Sequence, residues 1–139
     1  MGISLDHVYP ATREIQEALW GLLDKKFAET DINISHKSMP TYVEHCDFVN
    51  SIPYLGWYIV RASGYTIGSA YITRQGEIGV YIDPDYRKHD VVKKTIAEIA
   101  RRHPRSSYLF NVNPRNKDMI KILEDKGAKL LQSTYEFMP

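Results

Sequence analysis

The sequence holds one cysteine, Cys46, in 139 residues. A lone thiol closes no disulfide within the chain and cannot supply the thiolate sets of structural zinc or iron–sulfur sites; it fits a reducing compartment. No apolar run approaches the roughly 20 residues needed to span a bilayer. The opening Met-Gly-Ile-Ser-Leu-Asp-His lacks the basic start and apolar stretch of a secretory signal, and Asp6 stands where a myristoylation signal needs Ser or Thr. Charge of one sign is not in excess either: eighteen Lys and Arg face seventeen Asp and Glu, a formal charge of +1. Polyanion binding rests on clustered basic residues, so nucleic acid is not the expected partner. Repeats, low-complexity tracts and dividing linkers are missing. What remains is 43% hydrophobic residues in a length that suits one domain, 1–139, with a real core. A small cytoplasmic domain with no membrane partner is expected.

Periodicity supplies the order of elements. A short apolar start, Ile3 to Tyr9, ends at Pro10. From Thr12 to Ala28, apolar residues at Ile15, Ala18, Leu19, Leu22, Leu23 and Phe27 mark one face of a helix. A polar stretch with Asp31, Asn33, Ser35 and Pro40 follows. Thr41-Tyr-Val-Glu44 then reads as a capping box opening a second helix that runs to about Asn50. The period changes to two in three strands, Trp57–Arg61, Thr66–Thr73 and Glu77–Ile82, with turns at Ser63-Gly64 and Gln75-Gly76. Val91, Val92, Ile96, Ile99 and Ala100 share one side of a further helix, which Asp90 is placed to cap. Tyr108–Val112 predicts a strand, Asn116–Lys126 a helix with Gly127 after it, and Lys129–Phe137 a last strand. The expected fold is α/β (α+β): a mixed, mostly antiparallel sheet with helices on both faces.

The order of elements, together with Glu77-Ile-Gly-Val-Tyr-Ile-Asp-Pro-Asp-Tyr-Arg87, Asn113-Pro-Arg-Asn116 and Leu123-Glu-Asp-Lys-Gly127, resembles the GNAT superfamily of acyl-CoA-dependent N-acetyltransferases. The similarity covers most of the chain and is nearest the branch of ribosomal-protein alanine and nucleotide-amino-sugar acetyltransferases. Glu44-His45-x-x-Phe48 is similar to a segment of the amino-sugar group. The resemblance implies transfer of an acetyl or related acyl group from acetyl-CoA to a primary amine of a small or nucleotide-linked molecule. An alternative is a member that keeps the fold as a non-catalytic binding or structural module.

It further implies that free backbone groups around Val80 and Ile82 take the pantetheine arm. The pyrophosphate would rest on Arg87, Lys88, His89, Asp90, Val91 and Val92 at a helix N-terminus, where amides and helix dipole favour an anion. Asn113 and Asn116 would stand where two strands splay to admit the thioester. The family loop carries small residues where this chain has Asp90 and Val92. An Asp90 cap competes for the amides a pyrophosphate uses, and the Val92 branch crowds the backbone. Twelve residues follow Gly127, room for one closing strand where the family usually has two, so an exposed edge and a homodimer through it are expected.

Each candidate has a plainer reading beside it. Glu77 is a general base acting through a water, or a solvated charge at a strand start. His45 orients or deprotonates the substrate, or is a hydrogen-bonded helix histidine. His45-Cys46-Asp47 does not make a metal site, because adjacent helical residues point about 100° apart. Tyr54, Trp57 and Tyr58 stack on a sugar or nucleobase, or are half-buried strand aromatics. Arg101, Arg102, His103 and Arg105 form a basic patch at a helix C-terminus, where cations are favoured anyway.

Overall fold

The computed structural model describes residues 2–29 and 38–139. Its elements run β1 (Ser4–His7), α1 (Arg13–Phe27), α2 (Tyr42–Asn50), β2 (Gly56–Ala62), β3 (Tyr65–Ile72), β4 (Ile78–Ile82), a 3-10 turn (Pro84–Tyr86), α3 (His89–Arg102) and α4 (Lys117–Asp125). Part of the polar connection between α1 and α2, residues 30–37, lies outside the described residues.

The caps are where the side chains place them. Thr12 Oγ1 accepts the Ile15 amide at the head of α1. Thr41 and Glu44 close a reciprocal capping box on α2. At the end of α4, Gly127 turns left-handed at φ +88°. The Gly127 amide then reaches Glu124 O and the Ala128 amide reaches Leu123 O, both at 2.9 Å. These are the paired bonds of a Schellman stop.

The strands form one antiparallel sheet in the order β1-β2-β3-β4. Because strand side chains alternate, the sheet has two cores. On one face α3 and α4 cover Val60, Ala70, Ile72, Ile78 and Ile82 with Val92, Ile96, Ile99 and Ile122. On the other, α1 and α2 cover Trp57 and Ile59 with Leu19 and Val49. Helices on both faces of an α+β sheet match the expectation.

Two expected strands do not form. Residues 108–112 contribute a single parallel bridge, Glu77 with Leu109, beside β4. That bridge makes the arrangement mixed. Residues 128–139 have no regular secondary structure, and Leu130, Leu131, Tyr135 and Phe137 are at least 79% exposed. Strand-forming side chains alone do not make a strand; a ladder needs pairing with a neighbouring edge, and this segment joins none.

Candidate active site

The site begins at the far edge of β4. The Asp83 amide donates to Ile67 O at 2.7 Å and the Thr73 amide to Glu77 O at 2.9 Å, so the odd-numbered residues of β4 face β3. In an antiparallel ladder the backbone groups between them turn the other way. Ile78 uses that direction, donating to Leu109 O at 2.8 Å, while the Leu109 amide reaches Gly76 O. Past this bridge the chain leaves β4, and the N–H and C=O of Val80 face the resulting split. The next outward carbonyl, Ile82 O, accepts from Arg87 Nε at 3.0 Å and Nη2 at 2.7 Å.

A cavity of about 180 Å³ occupies the split. Gly79 and Val80 border it on the β4 side, and Phe110, Asn111 and Asn116 on the other. Leu22 and Lys26 of α1 and His45 and Phe48 of α2 close it above. Tyr54, Trp57 and Tyr71 form an aromatic wall. The Tyr54 and Tyr71 rings stack at 4.0 Å and 9°, and Trp57 stands edge-on to Tyr54 at 4.8 Å. The wall depends on glycine: a Cβ on Gly79 would meet the Tyr71 ring at 2.2 Å. Burial pushes both tyrosine hydroxyls above their ordinary range, so they are neutral donors. Tyr58 is not part of the wall. Strand alternation sends it to the opposite face, where its hydroxyl meets His103 Nε2 at 2.7 Å.

Glu77 stands beside this cavity at the mouth of the split. Its Oε2 accepts from Asn111 Nδ2 at 2.7 Å and its Oε1 from Thr73 Oγ1 at 3.3 Å. Asn111 thus connects the carboxylate to the cavity wall. His45 is 5% exposed and lines the cavity directly. Its Nε2 lies 3.2 Å from Gln16 O, which a neutral ring satisfies by donating from Nε2. Burial holds its pKa below the ordinary histidine value, opposed in part by that carbonyl.

The turn after β4 differs from expectation in three respects. Helix α3 begins at His89, with Lys88 as N-cap and no side-chain cap bond, so Asp90 does not cap it. Two residues into the helix, Asp90 instead pairs with Lys94 at 3.1 Å, an i,i+4 pair on an exposed face. Val92 is 4% exposed and packs into the core below, away from the backbone approach it was expected to crowd. The first helical bond is Val92 N–H to Lys88 O, leaving the amides of His89, Asp90 and Val91 outside the helical ladder. Arg87 does not reach this end. Its guanidinium grips the Glu29 carboxylate at 2.7 and 2.9 Å, and Tyr81 OH adds a bond to the same group at 2.6 Å. These contacts hold the Glu29 carboxyl below the usual range, against the opposing effect of burial. Lys25 is paired in the same way with Asp83.

Asn113 and Asn116 have local tasks. Asn113 Oδ1 accepts the Arg115 amide at 2.9 Å, and Asn116 caps α4 by accepting the Met119 amide at 3.2 Å. Only Asn116 lines the cavity. The basic patch is partly neutralised: Arg101 and Arg102 both bind Glu98 and Arg102 lies over the Tyr58 ring, while Arg101 and Arg105 stay exposed. Among the described residues no three His, Cys, Asp or Glu side chains are grouped to hold a metal ion.

Lys26 and Asn111 escaped the reading of the sequence. Lys26 follows Leu19, Leu22 and Leu23 at intervals of seven, four and three, which places it on the inward stripe of α1. A cation at such a position is the signal. Asn111 carried none, because its role depends on where the split opens.

No family model matches the sequence, and neither does any curated protein. Solved structures do match in fold. AAC(6')-Iy in complex with a bisubstrate analog, CoA-S-monomethyl-acetylneamine, aligns over 100% of this chain and 99% of its own, with TM-score 0.69 and 16% identity. Ribosomal-protein-alanine N-acetyltransferase from Brucella melitensis biovar Abortus 2308 aligns over 99% and 98%, with TM-score 0.67 and 16% identity. The putative acetyltransferase yncA from Salmonella typhimurium, solved with acetyl-CoA, aligns over 91% and 79%, with TM-score 0.65 and 12% identity. The chain has the fold of the GNAT acetyltransferases.

Proposed function

We propose that the chain, as one domain over 1–139, is an acyl-CoA-dependent N-acyltransferase acting on a primary amine of a small or nucleotide-linked molecule. The observation that carries this reading is the outward backbone of Val80 facing a cavity where the chain splits from β4. A strand edge left open in this way takes an extended amide-bearing ligand as it would take another strand. The amides of His89, Asp90 and Val91 suit the anionic end of such a ligand, and the side chains beside them do not obstruct it. Acetyl-CoA, when bound, supplies an activated acyl group at this split.

The remaining chemistry belongs to the chain. Val80 and the α3 amides bind and orient, while the aromatic wall excludes water and holds the acceptor amine near the open edge. Glu77, aimed by Thr73 and Asn111, takes the ammonium proton through a water. A positioned base of this kind is worth roughly 10²–10⁴-fold in rate. His45, neutral and with Nε2 engaged, keeps Nδ1 as an acceptor toward the acceptor molecule. The cytoplasm fits the single thiol, and among the described residues no helix is long and apolar enough to cross a membrane. The exposed apolar residues of 128–139 favour a homodimer in which this segment pairs with a partner copy; sedimentation as a monomer at high micromolar concentration would count against it.

A second reading, a non-catalytic module, draws support from the commitment of Arg87 to Glu29, which removes one cation from the anion site. Thermal-shift titration separates the two. A ligand at 100 times its Kd adds about 2.7 kcal/mol of stability, so coenzyme A should raise the melting temperature by several degrees. No shift at millimolar coenzyme A would sink the acyltransferase.

A further inference from the structure

The cavity carries a charge pattern that acyl transfer alone does not explain. Phe48, Tyr54, Trp57 and Tyr71 give it flat apolar surface. Among the described residues no Asp or Glu lines it, and the one lining side chain with a full positive charge is Lys26. The cations around Lys26 have their partners: Lys25 is held by Asp83 and Arg87 by Glu29. Lys26 is half-buried and is paired with no carboxylate among the described residues. Burial without a counter-charge penalises its ammonium, which is why its pKa falls below the ordinary lysine value. Glu77 does not supply the missing charge: it stands outside the lining, behind Asn111, and forms no ion pair with Lys26.

A ligand that fits this lining brings the missing anion with it. Its body must be flat and apolar to lie against the aromatic wall, and small enough for about 180 Å³. A polyamine or an aminoglycoside would instead set several positive charges against Lys26 with no carboxylate to receive them. Resting on the reading that this cavity receives the acceptor amine, we propose that the acceptor is a small aromatic amine carrying one acidic group, and that Lys26 selects it by pairing with that group.

L-Phenylalanine and phenethylamine test this directly, because they share ring and amine and differ by the carboxylate; spermidine serves as the polycation. Binding is read from melting shifts of the protein saturated with coenzyme A, and turnover from thiol release with acetyl-CoA. Phenylalanine should bind roughly tenfold or more tightly than phenethylamine, the worth of a charge-assisted bond, and spermidine should give no shift. Lys26→Met should bring that ratio close to one, and Lys26→Glu should reverse it. Tighter binding of spermidine or phenethylamine to the wild type, or an unchanged ratio in Lys26→Met, overturns the proposal. So does silence with all three amines while coenzyme A still raises the melting temperature, an outcome that leaves the acyltransferase reading standing. If coenzyme A itself gives no shift, both readings fall together.

Discussion

The two faces of the sheet are covered by helices of similar length but filled with different side chains. Between the sheet and α3 lie Ile72 and Ile82 of the strands and Ile96 and Ile99 of the helix, all at 6% exposure or less. Branched aliphatic side chains interdigitate at close to crystal density. Against α1 and α2 the strands present Trp57 and Tyr71, and Phe48 and Tyr54 join them from α2 and the loop after it. Aromatic rings are rigid plates that stack with one another and leave a gap at the sheet's open edge. The aliphatic face holds the molecule together, and the aromatic face supplies the flat wall of the cavity.

The sharpest way to break that contrast is to truncate one residue on each face. Ile99→Ala should cost about 2–5 kcal/mol in urea denaturation, the usual range for a fully buried residue of this size. Phe48→Ala, at a side chain 47% exposed, should cost clearly less and should weaken ligand binding instead. Equal losses would mean that both faces are structural. Next in size, Glu77→Gln should lower turnover about 10²-fold while coenzyme affinity is kept, read by steady-state kinetics beside calorimetry. Unchanged turnover would leave positioning alone as the source of rate.

Acid should act on both faces through different histidines. His45 on the cavity side and His103 beneath Tyr58 are both held below the ordinary histidine pKa by burial, His103 also by Arg102 and His7. The native state then binds fewer protons than the unfolded chain near pH 6.5, so stability falls as pH drops through that value. The depressed carboxyls of Glu29 and Asp83 extend the loss below about pH 4.5. Greater stability at pH 5.5 than at pH 7.5 would contradict both histidine environments. The smallest effect belongs to Asp90→Ala. With its carboxylate turned to Lys94 on an exposed helix face, coenzyme affinity should change by less than roughly threefold.

Much of the fold was legible because local chemistry and tertiary packing agree along α1, α2 and the meander. Thr12, Thr41 and Asn116 announce helix starts by the same hydroxyl or amide oxygen that caps them in the structure. The misses came where a neighbour decides. Tyr108–Val112 and Lys129–Phe137 have strand composition, yet pairing depends on an adjacent edge that composition cannot reveal. Asp90 has the character of an N-cap, but the helix starts one residue after Lys88, where the backbone at φ −129° and ψ 150° is still extended. For the site, Glu77 and His45 could be named as chemistry-bearing side chains; His45 lines the cavity and Glu77 reaches its wall through Asn111. Lys26 and Asn111 could not, because their significance lies in what surrounds them.

The last turn of α1 makes the helix intolerant of length change. Lys25 in that turn and Glu29, just past the Ala28 cap, anchor the end of the helix to Asp83 and Arg87, while Lys26 sits about 100° round from Lys25 and borders the cavity. One residue inserted anywhere between Leu19 and Lys25 would rotate all three together. Both tethers would part and the cavity would lose its cation in a single step, whereas exchanging any one of these side chains disturbs only its own contact. Insertions in this stretch should therefore be far more damaging than point substitutions, although α1 is a surface helix by its position.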